Sequence, residues 1–286
     1  MAKTLPKHFT FSQGSLQAYV DCPRLFQLRY IERMAWPALD VEPNIEAERH
    51  MALGSAFHQL VQRFYLGLPV EKLAELALQD PMLTQWWENF LEYGPELDGY
   101  TKHLERTLSI PIGGFRLVAK YDLLAITSPA LHPSSSPSAR IFDWKTSRHL
   151  PKRQWLKGKL QTRVYPFVLA QASCHLNNGE AIDPDQIEMT YWFANHPTAP
   201  LRFPYSSARY RSDAEYLAGL IAEIQSLPDG EAPMTEDERL CRFCVYRSLC
   251  ARGVSAGLYS ELEEDTAECK DFDFALDFEQ VAEIEF

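Results

Sequence analysis

No apolar run in the 286-residue sequence approaches the roughly 20 residues that a membrane-spanning helix needs. The opening stretch, MAKTLPKHFTFSQ, lacks the apolar centre of a secretory leader, so export is not expected and a cytoplasmic location is inferred. There is no G-x-x-x-x-G-K-[ST] loop, so any helicase motor would have to be another chain. No internal repeat is evident. Positive charge is in deficit: 28 Lys and Arg against 39 Asp and Glu give a net charge of −11, which on its face argues against a nucleic-acid ligand. The distribution changes that reading. Residues 261–286 hold eleven acids and one lysine, a charge of −10, so the rest of the chain is about −1. A near-neutral body can still carry a basic groove.

What is present suits a folded domain. Apolar residues make up 46% of the chain, enough for a substantial core. We read residues 1–260 as one domain and 261–286 as an acidic, flexible tail, whose DFDFALDF stretch alternates acid with aromatic and offers a second reading as a docking segment. Six cysteines in a reducing compartment point to metal binding where they cluster, rather than to disulfides.

Helical spacing of apolar residues runs from Ser12 to Glu32 with a break at Pro23, and from Ile45 to Tyr65 through Leu53, Phe57, Leu60, Val61 and Phe64. Shorter helical stretches follow at 70–78 and, opened by Pro81, through MLTQWWENFLEY. From residue 107 the pattern changes to strands: TLSIPI and FRLVAKYDLLAI joined by Gly113-Gly114, then RIFDWKT after a Pro/Ser loop at 128–139. A helix at 152–175, two further strands (QIEMTYWFAN and PLRFPYS) and a helix at 209–226 complete an α/β arrangement with a central mixed sheet flanked by helices.

Two groups of residues carry chemistry. In IFDWKTSRHL, Asp143 and Lys145 lie one residue apart on a strand and so share a face, with Trp144 on the other. Asp122 ends the apolar run of the preceding strand. Two neighbouring carboxylates repel unless a cation lies between them, and a hard divalent ion takes oxygen ligands of this kind. Such an ion serves phosphodiester hydrolysis, and a lysine beside it can orient the nucleophile and stabilise developing charge. A surface ion pair is the plainer reading of the triplet. His58, four residues after Gly54 on a helix, is a further candidate ligand or an ordinary packed histidine. Gln161 and Tyr165 share one face of the next helix and are placed to hold a phosphate or base, or form plain helix surface. Glu105, before the first long strand, is a candidate to assist metal or water. Arg148, Lys152, Arg153, Lys157, Lys159 and Arg163 follow the triplet as a basic groove or a solvated helix face.

The second group is CRFCVYRSLC, which sets Cys241, Cys244 and Cys250 in a C-x2-C-x5-C array, with Cys22 far away in DCPRLF. Three clustered thiolates and a distant fourth suit Zn²⁺ or an iron–sulfur cluster. Cys174 and Cys269 have no partners at metal spacing; Cys174 reads as a small core residue and Cys269 as part of the tail.

The order Gly54-x-x-x-His58, Asp122, Asp143-Trp144-Lys145, Gln161-x-x-x-Tyr165 resembles the RecB-type branch of the PD-(D/E)XK nuclease superfamily, and FSQGSLQAYVDCPRLFQLRY is similar to its N-terminal segment. The resemblance spans roughly residues 10–255. It implies a restriction-endonuclease-like core with Mg²⁺ or Mn²⁺ held by His58, Asp122 and Asp143, Lys145 as the catalytic lysine, and Gln161 and Tyr165 as substrate-side helpers. The cysteine pattern resembles the iron–sulfur staple of AddB-type and CRISPR-associated members, which implies a 4Fe–4S cluster on Cys22, Cys241, Cys244 and Cys250 joining the N- and C-terminal segments. The departures are Tyr121, where the family name has proline, and Asp143, where glutamate is also common before the lysine. The expected activity is a metal-dependent DNA nuclease, an exonuclease on single-stranded ends, working with a helicase or defence-complex partner. The alternative is a non-cleaving nuclease-fold subunit that binds DNA within a repair or defence complex.

Overall fold

The computed structural model describes residues 5–34, 45–127, 137–228 and 230–255, with side chains described at all of these except 45–48. The acidic segment 261–286, Cys269 and most of the Pro/Ser loop lie outside the described residues. β1 (Thr10–Ser12) leads into α1 (Gln13–Asp21), α2 (Pro23–Phe26) and a π-helical turn (Gln27–Ile31). α3 (Ile45–Tyr65), α4 (Val70–Ala77) and α5 (Pro81–Tyr93) follow, then β2 (Tyr100–Ile112), β3 (Phe115–Thr127) and β4 (Ala139–Lys145). α6 (Arg153–Gly158) and α7 (Gln161–Ala172) cross to β5 (Ile187–Phe193) and β6 (Leu201–Pro204); α8 (Ser207–Gln225) and α9 (Glu238–Arg242) come last.

Local chemistry accounts for the boundaries. Ser12 and Ser15 form a reciprocal capping box that starts α1. Asp80 caps α5 through the Met82 amide, with Pro81 at the first helical position. Gly113 and Gly114 take φ of +54° and +82°, so a two-residue turn closes β2 on β3 with Ile112 opposite Phe115. The helix expected over 152–175 is divided: Lys159 is extended (ψ 142°), and α7 restarts at Gln161.

The mixed sheet runs β1-β3-β4-β5-β6, with β2 on β3. β1–β3 and β4–β5 are parallel; β2–β3, β3–β4 and β5–β6 are antiparallel. β3 serves three neighbours. β1 pairs with it at Arg116–Val118 and β4 at Leu123–Ile126, which leaves residues 119–122 between the two.

Side chains from the two faces fill separate cores. One contains Leu16, Val164, Phe167 and Leu217 from α1, α7 and α8; the other contains Phe57, Trp86, Trp87, Phe90 and Trp192 from α3, α5 and β5. The β2–β3 pair changes face midway. Leu117, Ala119 and Tyr121 enter the first core, whereas Leu123 enters the second and Leu124 returns to the first. On β2, Leu108 and Ile110 pack in the first core and Leu104 against the second. The change falls at Glu105, whose φ is +47°, a conformation that non-glycine residues rarely adopt. Ladder pairs flank this level at Leu104–Leu123 and Arg106–Tyr121, so Glu105 and Asp122 face one another where the regular pleat is interrupted.

The N- and C-terminal segments approach as expected. The Arg24 amide donates to Pro233 O (3.1 Å), Gln27 bonds Gly230 O and the Ala232 amide (2.6 and 2.7 Å), and Tyr246 OH donates to Met34 O (3.1 Å).

Candidate active site

β4 carries two chemistries on alternate faces. Phe142 and Trp144 point into the aromatic core, where Trp144 stacks with Phe142 (5.8 Å between centroids) and meets Phe90 edge-on (5.7 Å). Asp143 and Lys145 therefore face α7, and a one-residue slip would exchange them with the aromatics. Lys145 Nζ lies 3.0 Å from Asp143 Oδ2, an ion pair whose carboxylate side is only 6% exposed. Gln161, at the first position of α7, joins the two: its Nε2 donates to Asp143 Oδ1 (2.6 Å) and its Oε1 accepts from Lys145 Nζ (3.4 Å).

Asp122 sits at the end of the β3–β4 ladder. Its Oδ2 accepts the Trp144 N–H (2.9 Å), replacing the strand partner that β4 loses where the two strands part. The register continued by one step sets Asp122 opposite Asp143. His58 reaches the pair from α3: Nδ1 is 3.5 Å from Asp122 Oδ2, and Nε2 lies 3.0 Å from Trp144 O. A carbonyl can only accept, so Nε2 carries a proton and Nδ1 faces the carboxylate. Gly54, one turn earlier, allows this approach, because a Cβ there would stand 3.0 Å from Thr146 Oγ1.

The three titratable groups separate in pKa. Burial raises Asp143 to about 6; Lys145 opposes the shift and the Asp122 charge adds to it. Burial also pushes Asp122 upward, but the His58 charge and hydrogen bond, the Trp144 N–H and Lys145 outweigh it, and the carboxyl falls below its usual range. Burial depresses His58, yet Asp122 and then Asp143 prevail and raise it. One carboxylate is thus matched to the His58 ring. The other is held against its own charge by burial, with the Lys145 ammonium 3.0 Å from its Oδ2.

Of the residues expected at the site, the structure brings together His58, Asp122, Asp143, Lys145 and Gln161. Glu105 lies opposite Asp122, but its carboxylate pairs with Lys120 Nζ at 2.9 Å. Tyr165, one turn after Gln161 on α7, is buried, with its ring 5.0 Å from Tyr121. Tyr121, at the position of the family's proline, is fully buried and donates to Tyr165 O (2.8 Å). Arg163, one of the basic residues that follow the triplet, is taken up by an ion pair with the buried Asp213 (2.6 Å), which also accepts from Tyr205 OH (3.1 Å).

Cys22, Cys241, Cys244 and Cys250 line one cavity, with Leu25, Tyr246 and Arg252 among its other walls. The Thr235 amide lies 3.4 Å from Cys22 Sγ and Arg252 Nη1 3.8 Å from Cys241 Sγ. Burial raises the Cys244 thiol to about 11, and the other three thiols add to the shift. Among the described residues, however, no three His, Cys, Asp or Glu side chains are arranged to hold one metal ion. Cys174 is partly buried, near the end of α7.

Sequence reasoning missed His50, Trp86 and Asn195, which hold the backbone beyond Lys145. They belong to no motif, and only the fold assembles them.

The model of the PD-(D/E)XK nuclease superfamily matches residues 10–251, and the chain belongs to that superfamily. Solved structures also resemble it, two of them as follows. One is described as a "Putative exonuclease" from Eubacterium rectale, 10% identical with a TM-score of 0.48 over 90% of this chain and 93% of that one. The other is SSO0001, 12% identical with a TM-score of 0.39 over 86% of this chain and 88% of that one. No curated protein matches the chain. Among the described residues no helix is long and apolar enough to cross a membrane.

Proposed function

We propose that the chain is a divalent-metal-dependent deoxyribonuclease of the RecB-type branch, acting as an exonuclease on single-stranded ends. The observation that carries this reading is the pair of carboxylates on neighbouring strands, with His58 Nδ1 3.5 Å from Asp122 Oδ2 and the Lys145 ammonium 3.0 Å from Asp143 Oδ2. Oxygen and imidazole donors are of the kind Mg²⁺ or Mn²⁺ takes, and Asp122, Asp143 and His58 would hold the ion once drawn together, since the three are not arranged here as a formed ligand set. When bound, it neutralises phosphate charge and acidifies water. His58 is prepared for that role: its Nε2 proton is committed to Trp144 O, so in the neutral ring Nδ1 is the free lone pair. Lys145 is placed to orient the attacking water and to stabilise charge on the phosphoryl oxygens. Gln161 fixes the direction of both Asp143 and Lys145 by bonding each. Glu105 is a reserve acid at the same level of the sheet. DNA is the substrate expected of this superfamily. The four thiols around one cavity support a structural 4Fe–4S cluster on Cys22, Cys241, Cys244 and Cys250, with the Thr235 amide and Arg252 as hydrogen-bond donors to sulfur.

The test is degradation of end-labelled single- and double-stranded DNA by anaerobically purified protein. Cleavage with Mg²⁺ or Mn²⁺, its loss in EDTA, and its loss in Lys145→Ala with an unchanged circular dichroism spectrum are the expected results. Binding of DNA without cutting under either ion would favour a scaffold subunit instead. A colourless preparation containing zinc would remove the iron–sulfur assignment.

A further inference from the structure

The backbone beyond Lys145 is held by its carbonyls. Five in succession are engaged. Trp144 O lies 3.0 Å from His58 Nε2, and Lys145 O accepts the Ala194 amide at 2.8 Å. Thr146 O meets both His50 Nε2 and Asn195 Nδ2 at 3.0 Å, Ser147 O meets Asn195 Nδ2 at 3.0 Å, and Arg148 O lies 2.9 Å from His196 Nε2. Asn195 is the centre of this array. Its single amide nitrogen serves two consecutive carbonyls, while its Oδ1 accepts the Trp86 indole N–H at 2.8 Å. An indole nitrogen can only donate, so Trp86 decides which end of the Asn195 amide faces the carbonyls.

Trp86 is fully buried and also meets the His50 ring edge-on, 5.4 Å between centroids. One turn along α5, Asn89 Nδ2 donates to Ala194 O at 2.8 Å. A rigid helix thus fixes the turn at 194–195, that turn fixes carbonyls 145–147, and those flank the lysine.

We infer that Asn195 is a positioning residue for Lys145, with Trp86 as its anchor; this rests on the nuclease reading above. Lys145 ends β4, and beyond its Phe193 neighbour no ladder continues. The side-chain bonds replace the ladder and hold the ammonium in register with Asp143. Asparagine is required because its donor end meets oxygen on two sides. Aspartate, of the same shape, would set a carboxylate against two carbonyls.

The experiment compares steady-state cleavage of end-labelled single-stranded DNA with Mn²⁺ by wild type, Asn195→Asp, Trp86→Phe and the double variant, with Asp143→Asn as the inactive control. Asn195→Asp is expected to lower kcat by about tenfold or more with KM within about twofold, since misplacement of a catalytic group costs rate rather than binding. Trp86→Phe keeps an aromatic ring but removes the N–H, and is expected to lower kcat less. The double variant should be no slower than Asn195→Asp alone, because the indole acts through the amide. A purely structural role would instead give independent, multiplying losses that follow the urea midpoints. Multiplying losses, a changed KM with an unchanged kcat, or full activity in Asn195→Asp overturns the inference. If Asn195→Asp does not fold, unchanged kcat in Trp86→Phe overturns it. Absence of cleavage by wild type overturns the nuclease reading and this inference together, whereas wild-type cleavage with an unimpaired Asn195→Asp overturns this inference alone.

Discussion

Replacing Asp143 by asparagine should stabilise the metal-free protein at neutral pH while removing its activity. Burial lifts the Asp143 carboxyl from its ordinary 3.8 to about 6. Below pH 3.8 the carboxyl is protonated in both folded and unfolded chains and carries no penalty. Between 3.8 and 6 the unfolded chain has released the proton that the folded chain retains, so stability falls as pH rises. Above 6 the folded chain bears the buried charge and the deficit is constant. A difference of about two pKa units corresponds to roughly 3 kcal/mol. Asparagine is neutral throughout and keeps an Oδ1 acceptor for Gln161. The stability of Asp143→Asn relative to wild type should therefore grow from acid to pH 7 by roughly 3 kcal/mol, on the order of 6–12 °C in melting temperature for a chain of this size. Urea and thermal melts in EDTA across pH 4–8 measure it. Added Mg²⁺ should raise wild type and leave the variant unmoved, since only a chain that binds the ion gains from it. A gap that does not change with pH, or a variant less stable than wild type at pH 8, would refute the account of Asp143 as a carboxylate held against its own charge.

Trp144→Ala should cost about 3–5 kcal/mol in urea unfolding, because it empties a site walled by Phe90, Phe142 and Trp192. Gly54→Val should abolish cleavage and lower the melting temperature, since even its Cβ would press on Thr146 and its branches would push α3 from β4; normal activity in that variant would contradict the packing. Asp213→Ala should destabilise by about 3–5 kcal/mol, read by the same melts, because it leaves the Arg163 guanidinium without its buried partner. Metal binding should release a proton, because the raised His58 gives up the hydrogen it shares with Asp122; calorimetry of Mn²⁺ binding in two buffers of different ionisation enthalpy measures it, with tighter binding as pH rises.

The sequence was legible where one physical signal acts locally. Apolar spacing marks α3 at Ile45–Tyr65, and Gly113-Gly114 can hardly be anything but a hairpin turn. Alternation along FDWK places the acid and the amine on one face, and the register of β3 with β4 brings Asp122 beside them. Other features are decided at a distance. β1 is three residues long, and its partners lie about a hundred positions away at Arg116–Val118. The first half of β2, YTKHLER, shows no alternation because none of it is fully buried and it turns at Glu105. The break between α6 and α7 follows from docking Gln161 on Asp143, which no spacing reveals. Asn195 carries no local signal: its partners come from residues 86, 146 and 147, which meet only in the folded chain.

β3 touches three other strands, drawn from residues 10–12, 100–112 and 139–145, and its interrupted stretch holds the first acid. Positions 58, 122, 143 and 161 come from α3, β3, β4 and α7, so none of these elements alone assembles the group. On the nuclease reading, a half-made copy would be inert toward phosphodiesters, and the capacity to cut would arrive only once those four elements have joined.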